Sequence, residues 1–273
     1  MVPFRAMGGA EVTLVTGASS GIGAAIATRL ARGGAAVLAG GRDEERCRAV
    51  CAAIEGEGGV AWPLPFDVTD FEQVRAAVDR GRELAIPIGP ISWLVNSAGM
   101  VDSAPLLPRG RAAGDELLAH FEAHMAVNLH GPRRLMEALL PGMIERGRGR
   151  ILNVVSSAGL RGYAYTSAYA ASKHALLGYT RAAIEELRGT GVLLNAICPH
   201  FVDTPLLAAS AARLAGRTGR SSEEILGDYA ALNPGGRLVT AAEVAEAAWE
   251  LLAGERRGVV LEIDGRGTWE VKA

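Results

Sequence analysis

The chain has 273 residues, 49% of them hydrophobic, with 28 Lys and Arg against 30 Asp and Glu. A chain of that size buries roughly 70–75% of its unfolded surface without a metal or disulfide staple. A formal charge of −2, with charged residues mixed along the sequence, leaves no basic stripe for nucleic acid and no polybasic tail for a membrane, so a small neutral or anionic molecule is the expected partner.

Residues 1–10 lack the apolar core and cleavage site of a secretion signal, and the longest apolar runs are strand-sized, so neither export nor membrane spanning is expected. Short β-branched runs at 12–16, 36–40, 61–66, 93–96, 151–156, 193–198 and 259–263 then alternate with alanine-rich helical patterns. That alternation is the signature of repeated βαβ units. It predicts an α/β fold: one Rossmann-type domain over 1–273, a doubly wound, seven-stranded parallel sheet flanked by helices. Residues 102–114, with Pro105, Pro108, Gly110 and Gly114, read as a surface loop before a long helix over about 115–146, which Pro132 and Pro141 kink or end. Ser221 with Glu224, and Thr240 with Glu243, fit the capping-box pattern at two later helix starts. The three cysteines are odd in number, and Cys47 and Cys51 at i, i+4 have no second pair to complete a metal site. They are expected as reduced thiols in a cytoplasmic protein, with no metal.

The first strand ends in Thr16-Gly17-Ala18-Ser19-Ser20-Gly21-Ile22-Gly23, which places three glycines in the turn where dinucleotide pyrophosphates bind. The spacing Gly-x-x-x-Gly-x-Gly departs from the commoner Gly-x-Gly-x-x-Gly fingerprint. About 20 residues on, where an NAD site carries an acid for the ribose 2′-hydroxyl, stands Gly40-Gly41-Arg42. A guanidinium pairs with a 2′-phosphate that a carboxylate would repel, so NADP(H) is preferred, with NAD(H) possible. The other reading of Arg42 is a solvated loop cation, and the adjoining Asp43 weighs on that side. Asp67-Val68 and Asn96-Ser97-Ala98-Gly99 follow the third and fourth strands at the carboxyl edge. Asp67 suits the adenine amino group or, equally, the cap of the helix after Asp70.

Tyr169 and Lys173 are four residues apart, on one face of a helix, where an ammonium can favour ionisation of a phenol whose ordinary pKa is about 10. Thirteen residues upstream lies Ser156, with Ser157 as its competitor; Tyr163 and Tyr165 are nearby phenols without a lysine four residues on.

With Asn128 and Pro199 to Thr204 added, these motifs in this order resemble the short-chain dehydrogenase/reductases over nearly the whole chain. The run 194–206 looks most like ketoacyl and polyketide ketoreductases and 3-hydroxyacyl dehydrogenases. The resemblance implies a ketone/alcohol oxidoreductase in which Tyr169 exchanges a proton with the carbonyl oxygen as hydride moves to or from the pro-S face of nicotinamide C4. It further implies that Lys173 holds the nicotinamide ribose and lowers the Tyr169 pKa, Ser156 donates to the developing alkoxide, and Asn128 holds a water linking Lys173 to solvent. Asn128 could instead simply hydrogen-bond backbone. Gly17, Ser19, Ser20, Gly21, Ile22, Gly23, Arg42, Asp67, Val68, Asn96, Ala98, Gly99, Tyr169, Lys173, Pro199 and Thr204 are the implied cofactor contacts. A homotetramer or homodimer, meeting along the helix at 115–146 and the one carrying Tyr169, is the implied assembly.

The family usually has Pro-Gly after the sixth strand, whereas Pro199 is followed by His200. That imidazole either points aside and fills space or narrows the pocket against a polar substrate group. The stretch 205–237 corresponds to the family's mobile lid, with Leu206 and Leu207 and, at the mouth, Tyr163 as pocket candidates. Arg213, Arg217 and Arg220 either meet phosphates of a coenzyme A or carrier-protein thioester or form a solvated face. A 3-oxoacyl thioester or polyketide-like carbonyl is the leading substrate; a small apolar ketone, a cyclic ketone or a steroid is the alternative. A dinucleotide-binding sensor without turnover is the non-enzyme alternative, disfavoured by the intact Tyr169 and Lys173.

Overall fold

The computed structural model describes residues 11–106 and 113–271. The reading of 1–10 and the part of the 102–114 loop with Pro108 and Gly110 therefore lie outside the described residues. In chain order the elements are β1 (Val12–Thr16), α1 (Gly21–Arg32), β2 (Ala36–Gly41), α2 (Glu44–Gly56), β3 (Val60–Pro65), α3 (Phe71–Ala85), β4 (Ile91–Asn96), α4 (Ala113–Met125) and α5 (Gly131–Glu145). There follow β5 (Gly149–Val154), α6 (Ser167–Glu186), β6 (Val192–Pro199), β7 (Val202–Asp203), α7 (Pro205–Thr218), α8 (Ser222–Leu232), β8 (Val239–Thr240), α9 (Ala241–Ala253), β9 (Val260–Ile263) and β10 (Thr268–Glu270).

The sheet runs β10-β9-β6-β5-β4-β1-β2-β3. All seven expected strands are in it, and it has an eighth. β10 pairs antiparallel with β9, so the sheet is parallel except at that edge. Thr268, Trp269 and Glu270 are three exposed residues after a glycine turn, too short and polar to register as a strand in sequence. Successive residues of each strand feed opposite faces. Val15, Val37, Val95, Leu152 and Ile197 pack under α1, α2 and α9, while Leu14, Leu38, Leu94, Ile151 and Leu194 pack under α3, α5 and α6.

The expected helix over 115–146 is two helices joined by a single widened π turn, Ala126–His130, in which the Gly131 amide bonds the Ala126 carbonyl five residues back. Pro132 explains the place of the break. It has no N–H to return to the Asn128 carbonyl, so the regular ladder cannot pass through. Pro141, by contrast, is accommodated inside α5. Both capping boxes are present, at Ser221 and Thr240.

Because β2 and β3 lie on one side of β1 and β4 to β6 on the other, the chain reverses direction between β1 and β4. Ligands bind outside the strand carboxyl ends at such a switch point. Among the described residues no helix is long and apolar enough to cross a membrane.

Candidate active site

The loop after β1 is shaped by what it cannot hold. Gly17 has φ +66°, and a Cβ there would lie 2.9 Å from the Ala98 backbone; one on Gly23 would lie 2.2 Å from the Gly17 carbonyl oxygen. Thr16 fixes the two loops flanking the switch point, its Oγ1 accepting from the amides of Ser97 (3.1 Å) and Ala98 (3.0 Å). The first turn of α1 carries no acid, and Ser20 makes no side-chain cap there, so its amides are available to an anion. Thr204 closes the opposite side, 3.3 Å from where a Gly21 Cβ would stand. Ser19 lies beside Gly41 at the end of β2, next to the exposed Arg42, which has no ion pair among the described residues. Asp43 is engaged elsewhere: it caps α2 through the Arg46 amide and pairs with the Arg46 guanidinium at 3.1 Å. These residues fit a phosphorylated dinucleotide.

Asp70 is the cap of α3, accepting from the amides of Glu72 and Gln73. Asp67 instead bonds the Thr69 amide and hydroxyl, both at 2.8 Å, holding its own turn open at the carboxyl edge. Val68 is buried beneath Gly131. Asn96 is buried within the sheet, where its Nδ2 donates to Asn153 Oδ1 at 2.8 Å and Asn153 donates on to Thr180. Its side chain braces strands rather than facing the cleft; Ala98 and Gly99 reach the cleft. Ile22 packs against the core beneath the loop, and Pro199 is buried at the end of β6.

The catalytic candidates converge around Gly99. A Cβ there would meet Asn128 Oδ1 at 3.4 Å and Lys173 Nζ at 3.7 Å. Lys173 is 4% exposed, donates to the Val154 carbonyl at 3.0 Å and lies 5.9 Å from the centre of the Tyr169 ring. Burial pushes its pKa down to about 8. β5 ends at Val154, two residues before Ser156, which sits in the loop beyond the strand. The Ala158 amide donates to Ser156 Oγ at 3.1 Å, and the nearby Ser156 hydroxyl acts on the Tyr169 phenol in the direction that favours its ionised form. Burial pushes the Tyr169 phenol up, and Ser156 offsets it only in part. The net direction for the phenol in the polypeptide alone is upward, set first by burial.

Geometry separates the competing groups. Tyr163 gives its hydroxyl to Ser157 Oγ at 2.9 Å, so Ser157 and Tyr163 occupy each other while Ser156 serves Tyr169. Tyr165 is exposed in the left-handed region, φ +63°, and its carbonyl accepts from the Ala104 amide. Asn128 lies in the π turn and bonds backbone after all: Nδ2 donates to the Met100 carbonyl and Ser172 Oγ, and Oδ1 accepts from the Met100 amide, each at 3.0 Å. It holds the loop after Gly99 in place.

His200 differs from its pocket reading. Its side chain is 0% exposed and its Nε2 lies 2.6 Å from Glu262 Oε1, so the ring is turned onto β9 and presents no surface to a substrate. The lid arginines lie on an exposed face, as one of the two expectations had it, and there they bond protein groups. Arg213 donates to the Val101 carbonyl (3.1 Å) and pairs with Asp102 (3.4 Å), Arg217 donates to the Ser103 carbonyl (3.0 Å), and Arg220 pairs with Asp228 (2.7 Å). Two of them clasp α7 to the 101–103 loop. Leu206 is exposed and Leu207 half-buried on the first turn of α7, whose cap is Thr204.

Sequence reading missed His124. It is buried edge-on to Tyr169 with ring centres 6.3 Å apart, its Nδ1 on the His120 carbonyl and its Nε2 accepting from the Asp102 amide. Burial holds its pKa below the ordinary histidine value, consistent with that neutral tautomer. Only its position four residues before Asn128, one helical turn away, could have signalled it.

Comparisons with known proteins agree with this geometry. The short chain dehydrogenase family model matches residues 11–215. Ketoacyl reductase HetN of Nostoc sp. is 37% identical over 210 residues, covering 76% of this chain and 70% of the relative. Among solved structures, a variant of actinorhodin polyketide ketoreductase with NADPH superposes with a TM-score of 0.83 at 35% identity, covering 94% of this chain and 96% of that one. Levodione reductase superposes with a TM-score of 0.82 at 29% identity, over 93% and 96%. With a switch-point dinucleotide loop and Ser156, Tyr169 and Lys173 drawn to one strand edge, the chain belongs to the short-chain dehydrogenase/reductase family.

Proposed function

We propose that this oxidoreductase is NADP(H)-dependent and reduces the ketone of a 3-oxoacyl thioester or polyketide-like substrate. The observation that carries the reading is the convergence of Asn128 Oδ1 and the buried Lys173 Nζ on Gly99, with that ammonium 5.9 Å from the centre of the Tyr169 ring, at the carboxyl edge of β5 and above the glycine loop. The glycine turn and the first turn of α1 would hold the pyrophosphate, Ser19 and Arg42 the 2′-phosphate, and Thr204 would close over the nicotinamide end. The cofactor supplies the hydride. Tyr169 gives its proton to the carbonyl oxygen, and Ser156 donates to the same oxygen as charge develops there. A phenol raised by burial is protonated at neutral pH, which suits reduction; the reverse oxidation needs it ionised and gains from alkaline pH. The ketoreductase relatives favour the thioester. A cyclic or small apolar ketone is the second reading, favoured by the engagement of Arg213, Arg217 and Arg220 with protein groups and by the likeness to levodione reductase.

α7 and α8 form the lid in this reading, the three buried thiols suit a reducing cytoplasmic setting, and exposed Leu118 and Phe121 on α4 suit a homotetramer or homodimer. The test is NADPH and NADH consumption with acetoacetyl-CoA, longer 3-oxoacyl thioesters and cyclic diketones by wild type and Tyr169→Phe. Loss of roughly 10³-fold in kcat with NADPH binding retained is expected; undiminished turnover by the phenylalanine variant would remove the catalytic assignment.

A further inference from the structure

His200 stands where backbone alone would suffice, yet its imidazole is wholly buried and bonded at 2.6 Å to a carboxylate. Cys198 and Glu262 are register partners on β6 and β9, and strand alternation puts His200, two residues beyond Cys198, on their face of the sheet. It is the catalytic face: Cys198 packs with Val155 and with Leu176 and Leu177 of α6, the helix that carries Tyr169 and Lys173. Glu262 Oε1 also receives the guanidinium of Arg161. Arg161 lies in the segment between Ser156 and Tyr169, which also contains Tyr163. One carboxylate on β9 therefore ties the loop after β5 to the turn after β6.

A second link spans the same two segments. The Tyr163 ring meets Phe201 edge-on at 5.4 Å, and Phe201 stacks on Tyr229 of α8 at 4.9 Å with the planes 6° apart. Asn233 then grips the Phe201 amide and carbonyl at 3.0 and 2.9 Å. Without the Glu262 tie only the Tyr163–Phe201 contact would link the two segments, so their separation would be held more loosely.

We propose that Arg161, Glu262 and His200 are positioning residues that set the gap between the Ser156–Tyr169 segment and the Pro199–Thr204 turn, and so decide which ketones fit and which face they present. None of the three touches the reacting atoms. The His200 end of the tie is fully buried, where losing a hydrogen-bond partner is costly, while the half-exposed Arg161 adds a weaker hold. The inference rests on the proposed roles of Ser156 and Tyr169.

The test compares His200→Phe, which keeps bulk but has no donor, with His200→Gln, which retains one, and with Arg161→Met at the half-exposed end of the tie. Hydrogen exchange of the 199–207 peptide is followed alongside KM and product enantiomer ratio for whichever of acetoacetyl-CoA, ethyl acetoacetate or cyclohexane-1,3-dione the wild type reduces. His200→Phe and Arg161→Met should speed exchange about tenfold and raise ketone KM about fivefold, with the glutamine variant close to wild type. If His200→Phe unfolds, Arg161→Met and the exchange readout decide alone. Wild-type exchange and KM in both disruptive variants overturn the proposal. Tyr169→Phe run in parallel separates the failures: active Tyr169→Phe sinks the catalytic reading, whereas inactive Tyr169→Phe with unaltered His200→Phe and Arg161→Met sinks only the positioning role.

Discussion

The catalytic edge and the segment 199–240 face each other across one cleft but are held by different forces. Ser156, Tyr169 and Lys173 are placed by the sheet and by α6, with Lys173 anchored on a strand carbonyl and Asn128 pinned to Met100. Beyond the buried His200–Glu262 bond at its start, the facing segment has α7, α8 and the two-residue strands β7 and β8, held in part by exposed arginine contacts, one aromatic stack and Asn233. Contacts in the buried core yield only with global unfolding, whereas those in the second region open locally at little cost. Chemistry thus belongs to the rigid wall and selectivity to the adjustable one.

Substitutions on the two walls should separate those roles. The largest effect is expected for Ser156→Ala, about 10²–10³-fold in kcat with ketone KM little changed, measured in steady state with NADPH. An equal rise in KM would show the walls to be coupled. Lys173→Met should lower kcat by less than Ser156→Ala does, yet stabilise the cofactor-free protein by about 2 kcal/mol at pH 7, read by urea melts. The sign follows from the lysine pKa falling from 10.5 to about 8 on folding. The unfolded chain binds that proton more tightly, so the wild type is most stable above pH 10.5 and loses stability as pH falls towards 8. The variant should lack that slope. Arg42→Ala should raise KM for NADPH about tenfold and leave NADH alone, which a parallel titration of both cofactors checks. On the adjustable wall, Arg213→Ala should raise ketone KM only two- to threefold at unchanged kcat, since exposed ion pairs contribute little. A large drop in kcat there would break the division.

The sequence displayed the rigid wall well and the adjustable one poorly. Parallel strands buried on both faces leave continuous β-branched runs, and glycines that a Cβ would close leave a fixed spacing, so the sheet and the phosphate loop were legible. Tyr169 and Lys173 were legible because helical periodicity joins i to i+4. His200 was visible as an anomaly, but its partner is 62 residues away on another strand, and no local pattern announces that. The exposure of the lid arginines was expected, but their partners were not legible, since carbonyls of the 101–103 loop have no sequence signature. Proximity of a charge to Tyr169 can be read from spacing, whereas the depth of burial that raises its phenol cannot.

The π turn at Ala126–His130 sets a rule about length rather than identity. Each residue of an α-helix rotates the next by about 100°, so one extra residue in a single turn shifts α5 out of phase with α4. His124 faces Tyr169 from one side of that shift, while Leu135 and Met136 face the sheet from the other. Deleting one residue between 126 and 130 would swing one of those faces away from its partner, so the length of this stretch is fixed by the two faces it joins.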